Sequence, residues 1–209
     1  MQKTADVNYS LAVLNWDQET YMPPKSAGFR AQQLSTLAGI SHELFTSDSF
    51  GTLLKDLSDD TSLSEKEQKN VAQTLKDYNK RTKYSTRFVQ EMSRAVSEAF
   101  QSWQSAKDNN AFENYAPYLE KLVKLKREEC KLLGYEDHPY DALLDQYEPD
   151  AKTKDIEILF ADVKTQLADF VKEIASAKQN NESCMHKHYD KQKQWDFGIV
   201  LLKEMGYDF

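Results

Sequence analysis

Apolar residues recur at helical spacing in one segment after another, and little in the chain could turn a strand. Val7, Leu11 and Leu14 stand four and three apart, and Val13 and Trp16 widen that stripe. Ala27, Ala31, Leu34, Leu37, Ala38 and Leu44 hold one face over 25–46. Ile156, Leu159, Phe160, Val163, Leu167, Phe170, Val171 and Ile174 do the same over 153–178. Against this stand only six Gly and five Pro in 209 residues, too few for a fold built on tight β-turns. The pattern predicts an all-α fold of about eight amphipathic helices, in one helical region over 1–209.

Local signals place the breaks. Asp48 is read as the cap of a short helix over 49–57. Ser64 followed by Glu67 forms a capping box, each side chain satisfying the other's free N–H. Val71, Leu75 and Tyr78 run on from it to about Tyr84. Ser85 and Thr86 can cap the next helix, whose Phe88, Met92, Val96, Ala99, Phe100 and Trp103 read as core. Lys107 to Asn110 is a break. Pro117 fits only the first turn of a helix, so the following helix is predicted to begin close to it. That helix runs to Leu133, and Gly134 fits the φ > 0 stop. Its Lys121, Lys124, Lys126, Arg127 and Lys131 alternate with Glu120, Glu128 and Glu129, a solvated mixed-charge face. Residues 140–148 form a short helix closed by Pro149, and 190–205 the last helix, stopped by Gly206.

The densest stretch is Ala12 to Pro24. An apolar turn suited to a buried helix meets Trp16, Asp17, Gln18 and Glu19. Pro23 and Pro24 then stop the helix, because Pro lacks an N–H and restricts its predecessor. Trp16, Asp17, Gln18 and Glu19 therefore sit beside a rigid corner, either lining a site or bracing the turn. Asp17 and Glu19 are two apart and point to different sides, so they are not a ready carboxylate pair.

Net charge is −7, from 27 Lys plus Arg against 34 Asp plus Glu. That argues against nucleic acid, whose binding needs basic side chains. No window approaches the ~20 apolar residues that span a bilayer, and the first residues contain no apolar run of a signal peptide. Cys130, in a helical pattern, and Cys184, in a polar loop, read as free thiols of a cytoplasmic protein.

Metal and catalytic motifs are incomplete. His42-Glu43-Leu44-Phe45-Thr46 has Thr where a zinc-peptidase helix needs its second His, and reads as a helical surface pair. Cys184, His186 and His188 are competent zinc ligands in a short polar loop without a spaced partner, so they are weak metal candidates. His138-Pro139-Tyr140-Asp141 sets an imidazole beside an acid, read as structural.

Three longer strings carry a resemblance. They are Trp16-Asp17-Gln18-Glu19-Thr20-Tyr21-Met22-Pro23 with Arg30 to Leu37 and His42-Glu43; Ala116 to Val123 between Phe112 and Glu128; and His138-Pro139-Tyr140-Asp141-Ala142-Leu143-Leu144-Asp145-Gln146-Tyr147-Glu148-Pro149. With the closing Gly206-Tyr207-Asp208-Phe209 they resemble, in order, the N-terminal part of the Taq-type metallocarboxypeptidases. The resemblance implies the helical part of a zincin-like carboxypeptidase. Such enzymes remove C-terminal residues from peptides with a divalent metal, zinc or cobalt, held by a His-Glu-x-x-His helix and a downstream Glu.

The resemblance also implies that those residues lie beyond the equivalent of Phe209, so no catalytic or metal position is assigned and no cofactor is expected in this chain. Trp16, Asp17, Gln18 and Glu19 become substrate-groove candidates, because the family's N-terminal helices form one wall of a groove. The expectation is an N-terminal fragment, inactive alone, and able to form a homodimer through faces left uncovered. The alternative is a non-catalytic helical module that binds a protein or peptide.

Overall fold

The computed structural model describes residues 2–208; Met1 and Phe209, which closes the last signature string, lie outside the described residues. The chain forms two compact units, Met1–Asp155 and Ile156–Phe209. Every regular element among the described residues is helical. Among the described residues there are nine α-helices, the all-α fold the apolar spacing predicts.

In the first unit, α1 (Gln2–Thr20) ends at the double proline. Pro23 is extended at φ −60° and ψ 135°, and Pro24 opens a 3-10 turn, Pro24–Ser26, where its missing N–H costs nothing. Helix α2 (Ala27–Phe45) follows directly. It packs against α1 and against α5 (Thr86–Asp108), which in turn packs on α6 (Phe112–Leu133). Small residues permit the α2–α5 approach: a methyl added to Gly39 would collide with the Gln90 side-chain amide. Likewise a methyl on Gly51 in α3 (Asp48–Ser58) would strike the Tyr78 ring on α4 (Glu65–Arg81). Phe45, Leu54 and Tyr78 make one core there; Phe88, Ala95 and Leu125 make a second, and Cys130, Leu133 and Ala142 a third.

The caps follow the chemistry of the sequence. Ser64 and Glu67 form the reciprocal box, and the Ser85 hydroxyl accepts from Phe88 N–H. Gly134 has φ +81°, as a helix stop requires. Asn110, at φ +51°, ends the α5–α6 turn in a conformation Asn tolerates.

Several local expectations are corrected. α3 begins at Asp48 itself, with extended Ser47 as its N-cap. α6 begins at Phe112, so Pro117 lies inside the helix and removes the N–H that would pair with Glu113. The first turn is held instead by Ser102, whose hydroxyl donates to the Asn114 carbonyl at 3.0 Å, and by the Phe112–Tyr115 ring contact. The short helix α7 is only Asp141–Leu144. The side chains of Asp141 and Asp145 accept from the N–H groups of Thr153 and Asp150, folding the following chain back in turns. α1 is mostly exposed rather than a buried helix: only Thr4 is buried, and Val13 and Trp16 are 63% and 57% exposed. On α5, Val96 and Trp103 are also exposed, leaving Phe88 and Ala99 as the buried part of that stripe.

Helix α8 (Thr153–Ser176) runs from the end of the first unit into the second, which also holds α9 (Lys191–Glu204), capped by Asp190 through the N–H of Lys193. No residue of either helix is buried. Cys130 is a buried and Cys184 an exposed free thiol.

Candidate functional site

The Trp16–Glu19 string divides by side. Asp17 and Gln18 turn toward the protein. Arg30, near the start of α2, donates to Asp17 Oδ2 at 2.5 Å, to the Leu14 carbonyl at 2.6 Å and to Gln33 Oε1 at 3.2 Å. One guanidinium thus staples the last turns of α1 to α2 around the proline corner, using the forked donors that Lys lacks. Gln18 Oε1 accepts from the hydroxyl of Ser97 on α5 at 2.5 Å. Trp16 and Glu19 face solvent; the Trp16 ring meets Tyr21 edge-on, with centroids 5.4 Å apart.

A second polar cluster ties α2 and α6 through Tyr84, in the turn between α4 and α5, and Gln146, in the turn after α7. His42 is buried, and its Nε2 lies 3.0 Å from the Tyr84 carbonyl; the expected surface pair is therefore half wrong, with Glu43 alone exposed. Glu129, read from the sequence as part of a solvated face, is also buried. It accepts from the Tyr84 hydroxyl, Lys126 Nζ and Gln146 Nε2 at 3.1, 2.7 and 3.1 Å. Three donors around one carboxylate offset its desolvation. Burial pushes the Tyr84 phenol well above its ordinary range, and the Glu129 charge adds to the rise. Burial likewise raises the Cys130 thiol, which fits an inert core position better than a nucleophile.

Beside this cluster opens a cleft of about 950 Å³. Val71, Ala72 and Leu75 of α4, with Leu57, Leu133 and Ala142, give it an apolar floor. Four lysines (76, 80, 83 and 152) face four aspartates (60, 141, 145 and 150) on its rim, so its charge is balanced. Lys80 pairs with Asp145 at 2.8 Å, and Lys83 donates to the Leu133 carbonyl at 2.6 Å. The Lys80 bond holds the Asp145 carboxyl below the usual range, helped by the Asp150 N–H. Bonds from Thr153 lower Asp141 in the same way. The signature segment 138–149 thus builds one wall of a cleft. His138 turns to local structure, its Nδ1 accepting from Tyr140 N–H at 3.2 Å.

A model of the carboxypeptidase Taq (M32) metallopeptidase family matches residues 1–209. The chain belongs to that family. Carboxypeptidase 1 of Bacillus subtilis (strain 168) is 31% identical over 211 residues, covering 100% of this chain and 42% of that one. The BsuCP crystal structure superposes with a TM-score of 0.93 at 30% identity, over 99% of this chain and 42% of that one. The solved structure of CHT shares 46% identity with a TM-score of 0.78, over 100% and 42%. The chain therefore spans about 42% of the length of the relatives it matches.

The family is one of metallopeptidases, which implies a divalent metal in its full-length members. Among the described residues, no three His, Cys, Asp or Glu side chains gather where they could hold one. Cys184, His186 and His188 lie in an exposed loop between α8 and α9. These residues do not form the ligand set the family requires, and no step through a metal is built on them. No described helix is long and apolar enough to cross a membrane.

Arg30, Tyr84, Glu129, Gln146 and the Lys80–Asp145 pair carry the polar architecture, yet sequence reasoning gave them no role. Arg30, Asp145 and Gln146 had one signal, membership of the family strings; Lys80, Tyr84 and Glu129 stood outside them.

Proposed function

We propose that this chain is the N-terminal helical portion of a metal-dependent carboxypeptidase that removes C-terminal residues from peptides. On this reading its helices form one wall of the substrate groove, and the chain alone has no peptidase activity. The supporting observation is the superposition on BsuCP over 99% of this chain but only 42% of that one. The absence of a His-Glu-x-x-His string from the 209 residues agrees with it. Within the groove wall, exposed Trp16 and Glu19 face the peptide, while Asp17 and Gln18 hold the corner behind them.

The apolar faces of α8 and α9 are then surfaces for the remainder of the family fold; left uncovered, they drive self-association. A release assay with added Co²⁺ or Zn²⁺ tests the reading in two arms. The chain alone is expected to release nothing; metal-dependent release would overturn the claim of inactivity. Mixed with the remaining portion of Bacillus subtilis carboxypeptidase 1, it is expected to restore cleavage. A chain that stays monomeric at every concentration in sedimentation counts against uncovered faces.

The cleft favours a second reading, a non-catalytic module that binds a protein or peptide, because its volume and apolar floor suit a ligand. The DNA downstream of Phe209 separates the two: a His-Glu-x-x-His helix there supports the carboxypeptidase, and its absence supports the module.

A further inference from the structure

A smaller hollow, about 250 Å³, opens over α5, and its charge is lopsided. Arg87 and Arg94 of α5 and Lys121 of α6 face a single acid, Glu91. The larger cleft balances four lysines with four aspartates; this hollow gathers three cations to one anion in a chain of net charge −7.

Its frame is rigid. Ser35, buried on α2, donates its hydroxyl to the Gln90 carbonyl at 2.9 Å, and the Gln90 amide is wedged against Gly39. Arg87 and Arg94 are seven residues apart, two helical turns on one face and about 10 Å along the axis, so their long side chains can converge on one ion. Gln32 Oε1 accepts from Arg94 at 2.5 Å and orients its guanidinium. Lys121 reaches Glu98 only at 3.9 Å. Among the described residues Arg87 makes no hydrogen bond or ion pair, so its donors are open to the hollow.

We propose that this hollow binds an oxyanion, supplied either as free phosphate or as the carboxylate of an acidic peptide side chain. Two planar guanidinium forks and an ammonium suit a group with several acceptor oxygens. The volume lies below that of pockets for drug-sized ligands and suits a single small anionic group. The inference is independent of the carboxypeptidase reading.

Calorimetric titration of the 209-residue chain with phosphate and with triglutamate at low salt tests it. Saturable binding is expected below about 10 mM, a weak affinity by ordinary standards, and added salt should weaken it. Arg87→Gln and Arg94→Gln should each weaken it roughly tenfold through a lost charge-assisted bond. Glu91→Gln should tighten it several-fold, a gain that misfolding cannot imitate. Tighter phosphate assigns a free oxyanion, and tighter triglutamate an acidic peptide. The proposal is overturned by no binding of either ligand, by parent-like binding in Arg87→Gln and Glu91→Gln, or by equal weakening in Lys66→Gln, which removes an exposed cation outside the hollow.

Discussion

Helices α2 and α8 both carry an apolar stripe, yet only α2 buries part of its own. α8 carries eight large apolar residues on one stripe, yet none is buried; Leu159, Leu167 and Phe170 are 62%, 53% and 56% exposed. α2 carries its own apolar face, and it buries seven residues: Leu34 and Phe45 together with the small or polar Ala31, Ser35, Gly39, Ser41 and His42. Small residues let α5 approach closely, and the buried polar groups find partners: Ser35 on Gln90, Ser41 on Asn8 and His42 on Tyr84. An apolar stripe says that a helix has a face to cover. It does not say what covers it. A helix that buries small and polar residues beside its apolar ones can be the centre of a unit when each polar group is paired.

The strongest way to break this comparison is a matched truncation. Leu54, 3% exposed in the first unit, should cost about 2–5 kcal/mol when changed to Ala, through lost burial and a cavity. Leu167→Ala on α8 should stay within about 0.5 kcal/mol at concentrations low enough to keep the chain monomeric, as surface changes do. Urea midpoints measure both. A comparable loss in Leu167→Ala would mean that the α8 face is covered in solution, by a second copy or by another surface.

Next in size is the corner. Asp17→Ala leaves the Arg30 guanidinium, 13% exposed, without its carboxylate and should cost about 2 kcal/mol. Arg30→Lys should lose a similar amount, because an ammonium cannot span Leu14, Asp17 and Gln33 together. Glu19→Ala, on the exposed side of the same string, should leave stability unchanged. If Glu19→Ala destabilises as much as Asp17→Ala, the division of the string into brace and free face is wrong.

These contrasts mark what the sequence made legible. The helices were readable because a 3.6-residue period is local, and so were the Ser64–Glu67 box and Gly134. Partners across space were not. Asp17 and Gln18 meet Arg30 and Ser97, 13 and 79 residues away, and no period reaches around a proline corner. Glu129 alternates with lysines as a surface acid does; its burial depends on Tyr84 and Gln146 arriving from elsewhere. The start of α6 was misplaced because the cost of an internal proline is offset by the Ser102 bond from α5 and the Phe112–Tyr115 ring contact, which composition does not report. The family strings held more of the candidate site than any periodicity, since they carried Arg30, Asp145 and Gln146 without their roles.

Caps sharpen the comparison further, because the same chemistry stands in both units. Ser64→Ala removes the capping box of α4 and should lower the stability of the first unit by about 1 kcal/mol. Asp190→Ala removes the bond to Lys193 N–H at 3.0 Å on α9, a helix with no buried residue. Its effect should be local fraying: faster amide exchange at 191–194 with an unchanged global midpoint. A shifted midpoint would tie α9 to the cooperative core.

The smallest effect separates two ion pairs by pH. Lys80–Asp145 is half-buried, at 27% exposure on each side, while Lys172–Asp169 on α8 is 78% and 77% exposed. The Lys80 bond lowers the folded Asp145 carboxyl below its unfolded value. A depressed carboxylate stabilises the fold at pH above its unfolded value of about 4. That increment is lost as pH falls through the lower, folded value. Asp145→Asn should therefore be less stable than the parent at pH 7, by under about 1 kcal/mol for a pair this open to solvent. The difference should close as the solution is taken well below pH 4. Asp169→Asn should match the parent throughout. Denaturation curves at pH 7, 4 and 2 for the three proteins decide it (pH values chosen as about the ordinary Asp range and either side of it). A gap for Asp145→Asn that persists unchanged at the lowest pH would assign its loss to packing of the cleft wall rather than to charge.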